Sequence, residues 1–255
     1  MTSFNHDGFE IAYLESAVAT AGEPVLLIHG FASSIHVNWV GSGWVKTLTE
    51  AGYRVIAFDN RGHGQSTKSR VPEDYTPEKM AGDAAALLEH LGISRAHVMG
   101  YSMGARIAAF LALAEPSMVG TLVLGGLGIG LVDGVGDWDP IAEALLAEDR
   151  SSITDRRGQA FRAFAEQTKS DRQALAACIS TSRTLLTEAD VSRISQPTLI
   201  AVGTTDDIAG SPAELAGLMP HAEAFAIEGR DHMLAVGDRS YKRRVLEFLQ
   251  AHPLR

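Results

Sequence analysis

The chain has 255 residues, 45% hydrophobic and 21% charged, which is close to the average soluble globular composition and excludes a disordered or fibrous protein. Its net charge of −9, without a basic cluster, opposes binding to a nucleic-acid backbone. The longest apolar runs fall far short of the roughly 20 residues that a membrane-spanning helix needs, so membrane insertion is not expected.

Short apolar segments recur along the chain and predict buried strands, and amphipathic segments between them predict helices. The predicted strands are residues 9–14, 25–29, 54–58, 96–100, 121–124, 198–202 and 222–227. The predicted helices are residues 39–51, 77–91, 103–114, 211–219 and 240–251. This alternation predicts an α/β fold with a mostly parallel, doubly wound sheet that is covered on both faces.

One region interrupts the alternation. Residues 133–195 are charged and helical in pattern, with helices predicted at 141–148, 153–167 and 171–186. We interpret 133–195 as a helical cap over the carboxyl edge of the sheet, inserted into a core formed by 1–132 and 196–255. Helices that only cover one face of the sheet are the alternative interpretation.

The pentapeptide Gly100-Tyr101-Ser102-Met103-Gly104 lies where a predicted strand gives way to a helix. Such a G-x-S-x-G turn exposes the central hydroxyl above the sheet, with glycine at both flanking positions to avoid steric collision. A serine that only caps a helix is the simpler explanation. The strand–turn–helix context favours a nucleophile at Ser102.

A serine hydroxyl needs a base and a group that orients the base. His232 follows the last predicted strand, at the edge of the sheet from which it could reach Ser102. Asp206 follows the preceding strand and is the preferred acid, with its neighbour Asp207 and the more distant Asp133 as alternatives.

Acyl transfer also needs donors for the developing oxyanion. The backbone N–H of Met103 begins the helix after the serine, where unpaired donors are found. In "LLIHGFASS", Gly30 allows a turn that could direct the N–H of Phe31 toward the same point. An ordinary loop between a strand and a helix would have a similar sequence.

Taken together, these motifs resemble those of the α/β-hydrolase superfamily, in its serine-nucleophile branch, over most of the chain. The motifs are "HGFASS", "FDNRGHGQS", "GYSMGA", "GTTDD" and "GRDH", and they occur in the family's order. The resemblance implies that Phe31 and Met103 form the oxyanion hole and that Arg61 and His63 support the site. It also implies a helical cap between the sixth and seventh strands.

The resemblance is imperfect at the histidine loop, because family members often have glycine before the histidine and this chain has Asp231. Serine at position 102 disfavours the aspartate-nucleophile relatives, the epoxide hydrolases and haloalkane dehalogenases.

The expected function is hydrolysis of small carboxylic esters through a covalent acyl-enzyme, with no metal or organic cofactor. Lactone opening, hydrolysis of C–C bonds and cofactor-free perhydrolase or haloperoxidase-like chemistry would use the same site. A non-catalytic small-molecule receptor on this fold is the alternative from another class. The sequence leaves the oligomeric state and the natural acyl group open.

Tyr101, Trp39, Trp138 and Met233 are candidates for the wall of the substrate pocket. Arg183 could pair with an acidic substrate group, although the sequence favours a solvated surface arginine. A cytoplasmic location is the default expectation, since the first residues lack signal-peptide character and the single cysteine, residue 178, cannot form an internal disulfide.

Overall fold

The computed structural model describes residues 2–16 and 22–254. Within them, eight strands form one sheet in the order β1-β2-β4-β3-β5-β6-β7-β8. Their bounds are β1 Thr2–His6, β2 Phe9–Glu15, β3 Pro24–Ile28, β4 Arg54–Phe58, β5 Ala96–Tyr101, β6 Val119–Gly125, β7 Thr198–Gly203 and β8 Ala222–Ile227. β1 pairs antiparallel with β2 and β2 antiparallel with β4, whereas all other pairs are parallel. The predicted, mostly parallel α/β fold is confirmed.

Strand β1 is absent from the sequence prediction. Its residues are largely polar, and only Phe4 is buried. It lies at the edge of the sheet, where one side of the strand has no neighbour and both faces need not be apolar. An apolar run therefore could not identify it.

Nine α-helices connect or cover the described strands. They are α1 Trp44–Glu50, α2 Pro77–His90, α3 Met103–Ala114, α4 Asp139–Leu146, α5 Arg156–Gln167, α6 Arg172–Thr181, α7 Glu188–Val191, α8 Pro212–Leu218 and α9 Arg239–Ala251. The predicted helix 39–51 is divided, because a π-helical turn over Ile35–Val40 precedes α1 and Gly43 between them has φ +83°. Helix α6 ends five residues before the predicted end at residue 186, and α7 was not predicted.

The core has two parts, one on each face of the sheet. Along β3, Leu26 and Ile28 belong to the cluster under α2 and α3, while Val25 and Leu27 belong to the cluster under α1 and α9. Successive side chains of a strand point to opposite faces, so a strand covered on both sides must be apolar throughout. This explains the continuous apolar runs in the sequence.

Helices α4 to α7 all lie between β6 and β7, within the segment predicted to be an insertion. Helix α4 packs against both α5 and α6, and Cys178 of α6 lies against Met103 at the start of α3, with 3.8 Å between the two sulfur atoms. The helical segment therefore reaches the carboxyl edge of the sheet. The chain ends that bound the predicted core, Met1 and Arg255, lie outside the described residues. None of the helices in the described part is both long and apolar enough to cross a membrane.

Candidate active site

Ser102 lies in the turn between β5 and α3. Its backbone has φ +55° and ψ −113°, a conformation that residues other than glycine rarely adopt. The N–H of Ser102 donates to the carbonyl of Gly125 on the neighbouring strand β6 over 2.7 Å. The turn is therefore strained locally and held by the sheet.

The two flanking glycines are required by packing between segments. A Cβ atom on Gly100 would lie 2.1 Å from the carbonyl oxygen of Gly104, and one on Gly104 would lie 2.0 Å from the carbonyl oxygen of Ile28. Neither of these collisions involves the side chain of Ser102. The structure places them between β5, α3 and β3, which approach one another closely at this point.

The structure brings together the three residues that the sequence singled out. Nδ1 of His232 lies 2.8 Å from Oδ2 of Asp206, and Nε2 of His232 lies 3.0 Å from Oγ of Ser102. An ionised carboxylate only accepts hydrogen bonds, so Nδ1 carries the proton that is donated to Asp206. Nε2 is then the acceptor for the hydroxyl proton of Ser102.

Asp206 is ionised although its side chain is fully buried. Burial alone would raise its pKa and is the largest single effect, but the hydrogen bond and charge of His232 and the N–H groups of Ile208 and Ala209 together lower the pKa. Those two N–H groups donate to Oδ1 over 2.8 and 3.0 Å. The alternative acids Asp207 and Asp133 are exposed and form no hydrogen bond with His232.

Two contacts hold the histidine loop. The carboxylate of Asp231 accepts hydrogen bonds from the N–H groups of Met233 and Leu234, over 3.0 and 2.8 Å. The hydroxyl of Tyr101 donates to the carbonyl oxygen of His232. Asp231, where relatives often have glycine, thus closes the turn that follows the histidine.

The two predicted oxyanion donors, Phe31 and Met103, both border the cavity that contains Ser102. Neither backbone N–H donates a hydrogen bond to any residue in the described ranges. A Cβ atom on Gly30 would lie 3.5 Å from Cβ of Ser102, so the loop that carries Phe31 passes directly beside the serine. Two unpaired donors are therefore available near the reacting atom.

The loop of residues 59–66 lies beneath the site and is extensively hydrogen-bonded. Arg61 is fully buried and donates from Nε and Nη2 to the two carboxylate oxygens of Asp83, each over 2.7 Å. Asp59 accepts hydrogen bonds from the N–H groups of Ile35 and Gln65. These contacts suit a supporting role.

His29 and His63 lie side by side in this region, with ring centres 5.2 Å apart. Burial lowers the pKa of His29 to about 4 and that of His63 to about 3. In His63 the neighbouring His29 lowers the pKa further. Both rings are neutral at pH 7, and neither contacts Ser102.

A cavity of about 240 Å³ lies above Ser102 and His232. Tyr101, Trp138 and Met233 border it, and the helical segment contributes further wall residues, namely Phe161, Phe164, Ile179, Ser182 and Arg183. Trp39 does not border the cavity. It is fully buried in the core under α1 and packs edge-on against Trp44, which corrects its assignment to the pocket.

The prediction that Arg183 is a solvated surface residue is also wrong. Its side chain is partly buried and lies in the cavity wall. Its guanidinium stacks on Trp138, with 3.6 Å between Cζ and the ring centre. Arg106 of α3, which the sequence analysis missed, borders the cavity too and is 3% exposed. Nothing in the sequence around Arg106 distinguishes it from a surface arginine, apart from its place one turn after Ser102.

Arg106 connects helix α3 with the residues that precede α4 and with those that follow α6. Its guanidinium donates to the carbonyls of Gly130 and Leu131 on one side and of Thr184 on the other, over 3.2, 3.3 and 2.8 Å. Burial lowers its pKa to about 10, so it is charged at pH 7. In the described part of the chain, no cluster of three or more His, Cys, Asp or Glu side chains is arranged to hold a metal ion.

The sequence pattern of the alpha/beta hydrolase fold family matches residues 23–169, more than half of the chain. The chain therefore belongs to this family. A solved structure described as a hydrolase from Pseudomonas aeruginosa PA01 is similar with a TM-score of 0.81 and 27% sequence identity, covering 97% of both chains. The resemblance of the motifs to the α/β-hydrolase superfamily is confirmed.

Two curated relatives match shorter regions. Epoxide hydrolase B of Mycobacterium tuberculosis is 36% identical over 105 residues, or 41% of this chain and 29% of that protein. A 2-hydroxy-6-oxononadienedioate/2-hydroxy-6-oxononatrienedioate hydrolase of Burkholderia vietnamiensis is 37% identical over 130 residues, or 49% of this chain and 43% of that protein. The matched region thus spans less than half the length of each relative. The two relatives are named for different hydrolytic reactions.

Proposed function

We propose that this protein hydrolyses small carboxylic esters through a covalent acyl-enzyme on Ser102. The observation that carries the proposal is the continuous hydrogen-bonded chain from Asp206 through His232 to Ser102, which ends in a cavity. In this arrangement Asp206 holds the tautomer of the imidazole, His232 is the base, and Ser102 is the nucleophile.

The mechanism follows from where the protons lie. Nε2 of His232 takes the hydroxyl proton as Oγ of Ser102 attacks the ester carbonyl. The N–H groups of Phe31 and Met103 stabilise the negative charge that develops on the carbonyl oxygen. The protonated His232 then donates to the leaving alcohol, and the same residue activates a water molecule that releases the acid from Ser102.

We assign residues 133–195 the role of a cap that selects the acyl substrate, since several of its side chains, including Trp138, Phe161 and Arg183, line the cavity. The helices of the cap would exclude water from the acyl-enzyme and restrict the size of the substrate. Residues 1–132 and 196–255 would then form the catalytic core.

The same groups would serve lactone opening or hydrolysis of a C–C bond. Epoxide opening fits this site less well than acyl transfer. The mycobacterial relative is named an epoxide hydrolase, but position 102 of this chain is serine and not the aspartate expected of an epoxide hydrolase.

The test is turnover of 4-nitrophenyl acetate and butyrate by the purified protein and by its Ser102→Ala variant. We expect nitrophenol release from the wild type and a loss of activity of several orders of magnitude in the variant. A panel of lactones, vinylogous diketones and epoxides measured beside the esters identifies the preferred bond. Equal slow release by wild type and variant would refute the proposal.

A phosphonate probe separates an enzyme from a receptor on the same fold. A fluorophosphonate should add once, at Ser102, and the His232→Ala variant should react far more slowly because its serine is not activated. Peptide mass spectrometry locates the adduct. An unlabelled Ser102 in a folded sample would favour the receptor.

A further inference from the structure

Three arginines lie close together where the cap contacts helix α3, the helix that follows Ser102. Arg106 lies on α3, Arg157 on α5, and Arg183 in the loop after α6. Arg183 is close enough to the other two for their charges to lower its pKa, after burial, which is the larger cause. Its pKa falls to about 9, so it still carries its proton at pH 7.

Among the residues that the structure describes, none of the three has an acidic partner. The ion pairs formed among residues 2–16 and 22–254 include no contact to Arg106, Arg157 or Arg183 within 4.0 Å. Arg106 is satisfied by backbone carbonyls alone. Arg183 donates no hydrogen bond to a described residue, although it borders the cavity. This local excess of positive charge occurs in a chain whose net charge is −9.

The ring of Trp138 contacts the guanidinium groups of two of these arginines. The guanidinium of Arg183 stacks on its ring at 3.6 Å and that of Arg157 at 4.6 Å, measured from Cζ to the ring centre. Stacking occupies the flat face of a guanidinium and leaves the N–H groups at its edge free to bind. Nε and Nη2 of Arg157 and the indole N–H of Trp138 are buried without a hydrogen-bond partner in the described structure.

Arg106 is buried and Arg157 and Arg183 are partly buried. Like charges in such positions are costly without a counter-charge, and the cost is recovered when an anion binds among them. A guanidinium edge matches the two oxygens of a carboxylate. We propose that the cavity recognises substrates that carry a carboxylate in addition to the scissile ester, and that Arg183 binds this carboxylate while Arg106 and Arg157 add to the positive potential. The proposal rests on the ester hydrolysis proposed above and specifies its substrate class.

The test compares matched esters in which an isopropyl group replaces the carboxylate. Monoethyl glutarate and ethyl 5-methylhexanoate differ on the acyl side, and carboxymethyl butyrate and isobutyl butyrate differ on the alcohol side. In at least one pair we expect the wild type to prefer the anionic ester in kcat/KM by about tenfold to a hundredfold. The pair that responds locates the carboxylate relative to the scissile bond.

The Arg183→Gln variant should remove this preference, because kcat/KM for the anionic ester should fall at least about tenfold more than kcat/KM for the neutral ester. Arg183→Lys should retain part of the preference because it keeps the charge. Arg243→Gln, a control on α9 where the arginine is 75% exposed, should change neither ester. No preference in either pair, or an equal loss for charged and neutral esters in Arg183→Gln, would overturn the proposal.

A binding measurement separates this proposal from the proposed function. Calorimetric titration of the Ser102→Ala variant with both members of each ester pair needs no turnover. Tighter binding of the anionic ester than of its neutral counterpart, lost when Arg183→Gln is added, supports the anion site even if no ester is hydrolysed. Serine-dependent ester hydrolysis with equal binding of the anionic and neutral esters of both pairs would refute the anion site and retain the hydrolase.

Discussion

The hydroxyl of Tyr101 donates a hydrogen bond to the carbonyl oxygen of His232, although the two residues are 131 positions apart. Tyr101 immediately precedes Ser102, so one residue connects the end of β5 to the loop that carries the proposed base. Burial raises the pKa of Tyr101 well above its ordinary value, which keeps the hydroxyl protonated and able to donate. The nucleophile and the base are therefore positioned by the same strand.

Tyr101→Phe should lower kcat by about two- to tenfold, the effect of losing one hydrogen bond of roughly 0.5–1.5 kcal/mol that positions His232. KM for 4-nitrophenyl butyrate should change little because the ring remains in the cavity wall. Tyr13→Phe, a buried tyrosine on β2 outside the cavity lining, is the matched control. A wild-type kcat in Tyr101→Phe would show that the contact does not position the base.

Asp206→Asn should reduce kcat by about 10⁴-fold, because an amide donor opposite Nδ1 favours the tautomer whose Nε2 cannot accept the proton of Ser102. The measurement is steady-state hydrolysis together with circular dichroism to verify the fold. Asp207→Asn, at the exposed neighbouring position, should retain activity near that of the wild type. The reverse pattern would transfer the acid role to Asp207.

Gly104→Ala should destabilise the protein by about 1–3 kcal/mol or more, because the new Cβ would meet the backbone of β3 and not a movable side chain. Gly217→Ala in α8 is the control, since a Cβ there meets nothing within 4 Å. That variant should be more stable by about 0.5–1 kcal/mol. Urea unfolding of both proteins measures the difference, and equal midpoints would show that the close approach at Gly104 is not required.

The free energy of unfolding should fall as the pH drops from about 6.5 toward 4. His29 and His63 have folded pKa values of about 4 and about 3, below the value of about 6.5 in the unfolded chain. In this interval the unfolded state binds more protons, so stability rises with pH and is fully present above about 6.5.

Urea midpoints at pH 7.5, 6.0 and 5.0 measure this dependence before most carboxylates titrate. His63→Gln, compared with its own stability at pH 7.5, should show a shallower slope between pH 6.5 and 5. The exposed His221→Gln variant should match the wild type. Midpoints independent of pH in the wild type would contradict the buried neutral histidines.

The parallel sheet and the three residues of the hydrogen-bonded chain were predictable because local sequence determines them. A strand covered on both faces must be apolar, and the turn at Ser102 admits only glycine at positions 100 and 104. His232 and Asp206 follow strands whose carboxyl ends meet at one edge. Such features leave a signature in the local sequence, even where, as at Gly104, the contact that requires it is made with a distant segment.

What could not be predicted depends on contacts between distant segments. Trp39 is a large aromatic residue of the kind that often lines pockets, but it lies in the core under α1. The turn that carries it is separated from α1 by Gly43, which the sequence pattern did not predict. Arginine is usually a surface residue, but Arg183 packs on Trp138 just after the end of α6 and lies in the cavity wall. Strand β1 is defined by pairing with β2 and not by its own residues.

The hydrogen bonds of Arg106 define boundaries at which the helical segment could be exchanged for that of a relative. Because its guanidinium binds carbonyls of residues 130, 131 and 184, a chimera that exchanges only residues 132–183 would keep every one of these acceptors. A graft with wider boundaries would have to supply replacement carbonyls for a buried cation. The proposed cap would thus be exchangeable between boundaries that one side chain of the recipient, Arg106, determines.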